Sequence, residues 1–505
     1  MKKTALISVF DKEGIVDLAR SLVGMGWDLI STGGSYKLLL ENNIRVREVS
    51  DITEFPEIFD GRVKTLNPLI HGGILYRRDM EEDQKIVDQF KMPSIDMVVN
   101  NLYPFEEMLE RGADEETMIE NIDIGGPSMI RAAAKNFKDV LIVTDKADYK
   151  ELIERLEEDR LDMTYRRNLA VKAFNTTAYY DSLIYRYFSE DILDLDKLVL
   201  GFKKDEKLRY GENPHQRAYF YDDKLMKGKE RLDFKQLHGK EISYNNINDL
   251  YGAIRCLKEF DRPTVVGVKH TNPSGIGSGE TIDEAFDKAY NCDKISIFGG
   301  IIAVNRRLTP HIAEIINSMF MEIVIAPEYD EEALAILKKK KNIRLLESKN
   351  INQYEFKDYK FTDSLNGLLV QDTDQVLYEK LEVVSKRKPT EEELKDLVFG
   401  YKAVKNVNSN AVVIVRQEGT LGYGFGEVRR SWAVEKAIDH SEYSLENSVL
   451  ASDGFFFEDT VELLKKNNIK AAISPGGSIH DKKVIDLCDQ YGIALVFTNT
   501  RHFKH

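Results

Sequence analysis

The segment VVGVKHTNPSGIGSG (265–279) occurs a second time, in altered form, as VVIVRQEGTLGYGFG (412–426). The copies are offset by 147 residues, and three glycines of each coincide: 275, 277 and 279 with 422, 424 and 426. Downstream, IVIAP ending at Pro327 matches AAISP ending at Pro475. Each copy predicts the order strand, glycine-rich turn, helix, strand, helix, strand. Coincidence of two common patterns is the alternative, but the matched glycines favour duplicated α/β subdomains near 263–330 and 410–499.

The first 160 residues alternate strand-like apolar runs with helical patterns, which is typical of a parallel sheet covered by helices. The predicted strands are ALISVF (5–10), WDLI (27–30), MVVNNLY (97–103) and VLIVTD (140–145), and the intervening helices are IVDLARSLVGM and YKLLLENN. A long helical pattern over 166–188 is followed by the acidic, irregular segment SEDILDLDK. We therefore place a domain boundary near residue 200.

The composition is that of an ordinary folded protein and argues against several classes. The 505 residues carry 71 Lys and Arg against 85 Asp and Glu, a net charge of −14, which is the opposite of a nucleic-acid or anionic-membrane binder. No run approaches the ~18 apolar residues of a membrane-spanning helix, and no signal-peptide cleavage site follows the first apolar run. Cys256, Cys292 and Cys488 are far apart, which predicts neither disulfides nor a cysteine zinc site. We expect a cytoplasmic protein.

Two predicted strand-to-helix turns have the composition of a phosphate site. They are Ser8-Val9-Phe10-Asp11-Lys12 and Ser31-Thr32-Gly33-Gly34-Ser35. Turns of this kind aim backbone N–H groups at a bound anion, and hydroxyls, glycines and a lysine suit phosphate. The alternative for either turn alone is a helix cap with a tight turn. The two together favour a phosphorylated ligand.

Two further segments hold candidate catalytic residues. GRVKTLNPLIHGG (61–73) is interrupted by glycine and proline and has neither helical nor strand period, so we predict a loop. NIDIGGPSMIRAAAKNF (121–137) predicts Asp123, a Gly-Gly turn and a helix that carries Lys135. Asp123 and Lys135 have the chemistry of an acid/base pair, and the alternative is a helix cap with a solvated lysine.

Comparison of the two copies identifies a candidate pair for acyl transfer. Lys269 and His270 follow the strand of the first copy, whereas Arg416 and Gln417 occupy the same places in the second. A histidine accepts a proton near neutral pH, and a neighbouring ammonium stabilises an oxyanion. The alternative is a surface pair without a catalytic role.

Taken in order, these motifs resemble those of the bifunctional purine-biosynthesis proteins that combine phosphoribosylaminoimidazolecarboxamide (AICAR) formyltransferase with IMP cyclohydrolase. The N-terminal part is similar to the cyclohydrolase half in SVFDK, STGGS, FPEIFDGRVKTLNPLIHGGIL, NLYPF and NIDIGGPSMIRAAAKN. The remainder is similar to the transformylase half in LRYGENPHQ, SYNNINDL, VKHTNPSGIG, FGGIIAVN, SNAVV, SPGGSIHD and RHFKH. The resemblance covers essentially the whole chain.

The resemblance implies both a fold and a reaction sequence. It implies an α/β protein with a methylglyoxal-synthase-like (Rossmann-like) parallel-sheet domain at 1–200, followed by two duplicated cytidine-deaminase-like α/β subdomains within 201–505. The reactions are formyl transfer from 10-formyltetrahydrofolate to the 5-amino group of AICAR, then dehydrative ring closure of formyl-AICAR to IMP. No metal is expected, because the chain has no H-x-E in combination with a C-x-x-C, which is the signature of the zinc deaminases. The resemblance also implies a homodimer with transformylase sites at the subunit interface, acting on small molecules rather than nucleic acid or membrane.

The resemblance further assigns roles to individual residues. The catalytic residues of ring closure would be Lys64, Tyr103, Asp123 and Lys135. Lys64 would stabilise the oxyanion, and Asp123 with Lys135 would orient groups and move protons. The substrate would be placed by Ser8, Lys12, Thr32, Gly33, Gly34, Ser35, Arg62, Thr65, Gly125 and Gly126. In formyl transfer, His270 would accept the amine proton while Lys269 and Asn410 hold the formyl oxygen. Arg209 and Arg501 would be phosphate ligands. The other substrate or folate positions would be Tyr210, His215, Asn246, Gly299, Glu322, Arg430, Phe455, Asp459 and His505.

The transformylase half departs from the usual family pattern at several places. Ser274 stands where cysteine is common, and Glu427 and Arg429 replace glutamine and serine. Glu322 stands where aspartate is frequent, and a proline is missing near Phe456. Two alternatives therefore stay open: an enzyme with only the cyclohydrolase half active, and a methylglyoxal-synthase-like nucleotide-binding regulatory protein.

Overall fold

The computed structural model describes residues 2–59, 61–226, 230–357 and 359–505. Asp60, within the motif FPEIFDGRVKTLNPLIHGGIL, lies outside the described residues. The chain divides into two compact units, the first comprising Met1–Lys203 with Asp222–Leu225 and the second Lys204–Tyr221 with Met226–His505. In the described ranges, no helix is long and apolar enough to cross a membrane.

The core of the first unit is a parallel sheet with the strand order β3-β2-β1-β4-β5. Its strands are β1 (Thr4–Ser8), β2 (Asp28–Ser31), β3 (Arg47–Glu48), β4 (Met97–Asn100) and β5 (Leu141–Val143). The predicted parallel sheet and its four predicted strands are confirmed. Only β3 was missed, because two residues are too few to show a period.

Ten α-helices occur among the described residues of the first unit, and those that contact the sheet bury their apolar side chains against it. The helices are α1 (Ile15–Gly24), α2 (Gly33–Glu41), α3 (Val49–Thr53), α4 (Pro68–Leu75), α5 (Glu81–Gln89), α6 (Phe105–Glu110), α7 (Glu115–Glu120), α8 (Gly125–Lys135), α9 (Tyr149–Glu157) and α10 (Met163–Phe188). The helices α1 and α2 follow β1 and β2 directly, so both predicted anion-binding turns lie between a strand and a helix.

Two local predictions for this unit were wrong. The second half of the predicted loop 61–73 forms α4, because Asn67 caps the helix by accepting a hydrogen bond from the Leu69 N–H (2.9 Å) and Pro68 takes the first helical position. The predicted Gly-Gly turn is instead the first turn of α8. Its glycines allow neighbouring side chains close to the helix start, since a Cβ on Gly125 would lie 2.9 Å from Thr65 Oγ1.

The second unit is built on one mixed sheet of twelve strands within the described ranges. Its order is β16-β21-β20-β19-β17-β18-β10-β9-β11-β12-β13-β8. The first-copy elements are β8 (Lys235–His238), α11 (Tyr244–Leu257), β9 (Thr264–Lys269), β10 (Asn272–Ser278), α12 (Ile282–Cys292), β11 (Ile301–Val304), α13 (Pro310–Ser318), β12 (Ile323–Ala326), α14 (Glu331–Leu337) and β13 (Arg344–Glu347). The second-copy elements are β16 (Glu382–Val383), α15 (Glu391–Val404), β17 (Val412–Arg416), β18 (Gly419–Gly424), α16 (Arg430–Asp439), β19 (Val449–Ser452), α17 (Glu458–Lys466), β20 (Ala471–Ser474), α18 (Asp481–Tyr491) and β21 (Ala494–Phe497).

The two copies repeat the same order of elements, which confirms the duplication. They join edge to edge through an antiparallel pairing of β10 with β18, where Gly277 lies opposite Gly419. The helices α11 and α15 pack on one face of the shared sheet, and the remaining helices of each copy pack on the other. Two separate two-stranded ribbons are formed by β6 (Lys203–Leu208) with β7 (Ala218–Asp222) and by β14 (Tyr359–Ser364) with β15 (Gly367–Asp372).

The glycine-rich segment of each copy is a strand rather than the predicted turn. It forms the second strand of an antiparallel hairpin, β9–β10 in the first copy and β17–β18 in the second. The glycines leave room for helix backbone, because a Cβ on Gly277 would lie 2.3 Å from the Ala285 carbonyl oxygen and one on Gly424 1.7 Å from that of Ala433. The matched glycines therefore mark a close helix-on-strand contact in both copies.

Candidate active sites

A cavity of about 580 Å³ opens in the first unit at the carboxyl ends of β1, β2 and β4, next to the starts of α2 and α8. Ligands of open parallel α/β sheets bind at this edge. The predicted residues that line it are Ser8, Lys12, Thr32, Gly34, Ser35, Arg62, Lys64, Thr65, Tyr103, Asp123, Gly125 and Gly126. The structure thus brings together side chains from five separate predicted motifs.

The start of α2 has the features of a phosphate site. Thr32 precedes the helix but makes no capping hydrogen bond, since its hydroxyl pairs with that of Ser8 (2.9 Å). The ammonium groups of Lys64 and Lys12 lie next to the exposed amides of this helix start. A Cβ atom built onto Gly33 would lie 3.5 Å from Lys64 Nζ, and one built onto Gly34 would lie 3.5 Å from Lys12 Nζ. Uncapped N–H groups, the helix dipole and two lysines all favour a bound anion.

Ser35 and Asn101 hold the neighbouring loop in place. The Ser35 hydroxyl accepts from the Val9 N–H (3.0 Å) and donates to the Val9 carbonyl (2.9 Å), so Ser35 offers an anion only its backbone. Asn101 accepts from the N–H groups of Phe10 (2.6 Å) and Asp11 (3.1 Å), which fixes the turn that carries Lys12. The sequence reasoning missed Asn101, although its place directly after β4 in the NNLYPF motif was the available signal.

Asp123 is the partly buried carboxyl of this cavity. Its Oδ1 accepts the Gly126 N–H (2.7 Å), and its own N–H donates to the Tyr180 hydroxyl (2.8 Å). Burial raises the pKa of the Asp123 carboxyl, while backbone hydrogen bonds and the positive charge of Lys64 act in the opposite direction. A carboxyl in these surroundings has the properties needed to exchange a proton with a ligand.

The structure does not bring Lys135 to Asp123. Lys135 is the exposed last residue of α8, whereas the cavity lies at the first turn of that helix. Ten residues separate Gly125 from Lys135, which corresponds to about 15 Å along a helix. The predicted acid/base pair is therefore absent within the chain, and Lys64 is the lysine near Asp123.

The remaining predicted residues of this site lie as follows. Tyr103 is partly exposed and packs edge-to-face on Phe10, with ring centroids 5.8 Å apart. Arg62 pairs with Glu120 at the rim of the cavity. Gly33, with φ +48°, turns the backbone into α2 next to the lysines.

In the second unit, Lys269 and His270 line a cavity of about 420 Å³ with residues of both copies, including Tyr423 and His440. Lys269 Nζ donates to the Phe298 carbonyl (2.9 Å). His270 is exposed on the hairpin turn after β9, with φ +53°. Ser274, at the position where cysteine is common, lines the same cavity, and its hydroxyl is buried without a hydrogen bond.

Asn410 lies in a different cavity, of about 600 Å³, together with Arg430, Phe455 and Asp459. Its side-chain oxygen accepts from Arg430 (2.8 Å), and its amide donates to the Glu427 carbonyl (2.7 Å). Arg430 is buried and also pairs with the buried Asp453. Arg430 and the Glu427 carbonyl together therefore orient the Asn410 amide.

The two unusual residues of the GFGEVRR segment make ion pairs within the chain. Arg429 pairs with Asp459 (2.8 Å), a predicted folate-site residue, and Glu427 pairs with Lys436. Both charges are therefore partnered, and the backbone carbonyl of Glu427 accepts a hydrogen bond from the Asn410 amide.

The C-terminal segment RHFKH joins the His270 turn to the Asn410 segment. Lys504 Nζ donates to the carbonyl oxygens of Asn406 (2.8 Å) and Thr271 (3.3 Å). Its backbone N–H donates to Ser409 Oγ (3.0 Å), directly before Asn410. Burial lowers the pKa of Lys504 to about 8, with Arg255 adding to the effect. No local signal distinguished Lys504 in the sequence, since its partners are far away along the chain.

Other predicted positions fall on the first copy. Glu322 accepts from the buried Arg344 (2.6 Å) and from Asn246 Nδ2 (3.4 Å). Asn246 is also the third residue of a capping box with Ser243, so it has a structural role as well. Gly299, with φ +76°, donates its N–H to the Phe320 carbonyl (2.8 Å).

Five predicted ligands are accessible side chains that line none of the three cavities described above. Arg209, Tyr210 and His215 lie between β6 and β7, and Arg501 and His505 lie in the C-terminal segment. Within the part of the chain that the structure describes, no group of three His, Cys, Asp or Glu side chains is placed to hold a metal ion.

Comparison with known proteins gives the family. The profile of the AICARFT/IMPCHase bienzyme matches residues 133–440, and that of the MGS-like domain matches residues 14–128. The chain is 49% identical to a bifunctional purine biosynthesis protein PurH from Caldicellulosiruptor saccharolyticus and 47% identical to one from Clostridioides difficile, each alignment covering all of both chains. A solved structure described as "Crystal structure of ForH" matches 37% of the chain, and 100% of its own, at 34% identity with a TM-score of 0.34. By profile and by full-length identity, the chain belongs to the AICARFT/IMPCHase bienzyme family.

Proposed function

We propose that the two units divide the two reactions of this family, with ring closure in the first unit and formyl transfer in the second. As a member of the bienzyme family, the protein transfers a formyl group from a folate co-substrate to AICAR and closes formyl-AICAR to IMP. The observation that carries the division is the first cavity, where an uncapped helix start, Lys12, Lys64 and Asp123 meet. The uncapped helix start and Lys12 suit a nucleotide phosphate, and Lys64 and Asp123 suit a carbonyl group that reacts in the same cavity.

In ring closure, the carboxamide nitrogen attacks the formyl carbon and water leaves. An amide nitrogen is a poor nucleophile, so the site must stabilise the negative charge that develops on the formyl oxygen. We assign this to Lys64, and the movement of protons to Asp123, whose raised pKa suits exchange. The phosphate binds at the start of α2 beside Lys12. Lys135 enters this mechanism only from a second copy of the chain, because in its own chain it lies at the far end of α8.

In formyl transfer, the 5-amino nitrogen of AICAR forms a bond to the formyl carbon, and the bond from that carbon to the folate nitrogen breaks. His270 accepts the amine proton, and the leaving folate nitrogen takes up a proton. Lys269 and Asn410 hold the formyl oxygen as its charge develops. Arg430 acts on this step by orienting the Asn410 amide (2.8 Å).

We propose a homodimer in which a second copy completes the transfer site. Lys269 and Asn410 line different cavities of one chain. The proposed phosphate ligands Arg209 and Arg501 are exposed and accessible to a ligand or to a second copy. We further propose a cytoplasmic location, supported by three free, buried cysteines, as in proteins of reducing compartments.

A coupled assay tests the proposed function. Purified protein is supplied with AICAR and 10-formyltetrahydrofolate, and tetrahydrofolate and IMP are followed by absorbance. We expect Lys269→Ala to abolish formyl transfer while retaining ring closure of supplied formyl-AICAR, and Lys64→Ala to do the reverse. Folded wild-type protein that makes neither product would refute the function. Loss of both activities in either folded variant would refute the division between units.

A further inference from the structure

The hairpin turns of the two copies share an unusual backbone. His270 and Thr271 both have left-handed φ values, +53° and +59°, and Gln417 and Glu418 at the same places in the second copy both have +55°. Two consecutive non-glycine residues in this conformation are uncommon, since each brings its Cβ close to the backbone. The turn that carries the proposed catalytic base therefore needs an external support.

An aspartate on the preceding helix supports each turn. Asp249 of α11 accepts the Thr271 N–H (2.7 Å), and Asp396 of α15 accepts the N–H groups of Gln417 (2.8 Å) and Glu418 (2.7 Å). The two aspartates are 147 residues apart, the same offset as the hairpins. The support is thus part of the duplicated fold, but only in the first copy does the turn carry a histidine.

We propose that Asp249 is a positioning residue for formyl transfer, which holds the His270 turn in the conformation from which His270 accepts the amine proton. The inference rests on the proposed role of His270 in the second unit. Asp249 is not itself a catalytic residue, because its carboxylate is engaged by the backbone of the turn.

The electrostatic surroundings of the turn support this role. Burial raises the pKa of Asp249, while the turn amides and the charge of His270 favour its ionised form. Two lysines are also near the turn: Lys269 on β9 and Lys504, which donates to the Thr271 carbonyl. The other charged or titratable groups near the turn or in its cavity are Glu322, which pairs with Arg344, and Asp293, which accepts from the N–H groups of Ile295 and Ser296. The cavity is also lined by the buried Cys292 and by Tyr423 and His440 of the second copy.

Asp396 offers a matched control for substitution of Asp249. Asp249→Asn and Asp396→Asn each keep the shape of the side chain, remove the charge and weaken the hydrogen bonds to a turn. We expect kcat for formyl transfer to fall about 10- to 100-fold in Asp249→Asn, because small displacements of a catalytic group have effects of this size. The KM for AICAR should change much less than kcat, because Asp249 contacts the turn and not the substrate. Asp396→Asn should keep the wild-type kcat for formyl transfer, and both variants should keep ring closure.

A second readout does not depend on activity. The ring-proton NMR signals of His270, assigned by their loss in His270→Gln, should move in Asp249→Asn and stay in place in Asp396→Asn. Asp249→Glu keeps a hydrogen-bond acceptor on a longer side chain, so it should lower kcat less than Asp249→Asn does. Asp249→Glu is also the variant to be tested if Asp249→Asn does not fold.

The outcomes separate the inference from the function on which it rests. Wild-type protein without formyl transfer would refute the proposed function, and the NMR spectra would still decide whether Asp249 positions His270. Active wild-type protein with unchanged His270 signals in Asp249→Asn, or an equal loss of transfer in Asp249→Asn and Asp396→Asn, would overturn the proposal for Asp249. A loss in Asp249→Asn that appears in KM and leaves kcat unchanged would also overturn it.

Discussion

Lys504 provides a test of how the C-terminal segment is held. The substitution Lys504→Met keeps an unbranched side chain but removes the charge and the hydrogen bonds to the carbonyls of Asn406 and Thr271. Burial is the main reason that the pKa of Lys504 is lowered from 10.5 to about 8 in the folded protein. The folded state thus disfavours the charged form relative to the unfolded chain.

The sign and size of the effect follow from proton linkage. Between pH 8 and 10.5 the unfolded chain binds the Lys504 proton and the folded protein largely does not, so the free energy of unfolding rises with pH. From pH 7 to pH 10 the wild-type protein should gain about 2 to 3 kcal/mol relative to Lys504→Met. Other groups titrate in both proteins, so their contributions cancel in the difference.

Urea unfolding at pH 7 and pH 10 measures this difference. The chain has two tryptophans, Trp27 in the first unit and Trp432 in the second, so a Trp27→Phe background makes fluorescence report on the unit that contains Lys504. A stability difference between wild type and Lys504→Met that is the same at both pH values would refute the argument. So would a difference that changes in the opposite direction.

Two glycine substitutions test the close contacts. A Cβ on Gly277 would lie 2.3 Å from a carbonyl oxygen of α12, so Gly277→Ala should destabilise the second unit by about 1 to 3 kcal/mol in urea unfolding. Gly367→Ala, with no atom within 4 Å of the new Cβ, is the control and should change stability by less than about 0.5 kcal/mol; equal losses would contradict the contact. A Cβ on Gly126 would lie 2.5 Å from Asp123 Oδ2, so Gly126→Ala should displace that carboxylate and slow ring closure about 100-fold while formyl transfer continues. Equal loss of both activities would show that the contact acts on the whole fold instead.

The first site was more accessible to sequence reasoning than the second. Lys12 and Thr32 lie on turns whose strand and helix are adjacent in sequence, so local patterns predicted their surroundings correctly. The position of Lys135 could not be predicted in this way. The residue shares a motif with Asp123, but the motif forms a helix that carries the two residues to opposite ends. Proximity in sequence therefore did not mean proximity in the site.

The second site depends on contacts that no local pattern contains. The glycine-rich segment was predicted as a turn because glycine is common in turns. It is a strand because the glycines admit the backbone of a helix that begins only later in the chain. Lys504 contacts Thr271, 233 residues away, and Asn406, 98 residues away. Sequence separations of this size leave no periodicity to detect.

The sequence by itself determined the parallel sheet of the first unit, the duplication in the second and the family, because strand and helix periods, glycine register and motif order are properties of short segments. The tertiary structure alone decided that the two copies share one sheet through Gly277 and Gly419, and that Lys269 and Asn410 line separate cavities. It also decided that Asp249 and Lys504 support the His270 turn. These arrangements follow from the burial and hydrogen bonding of residues that meet only after the chain has folded.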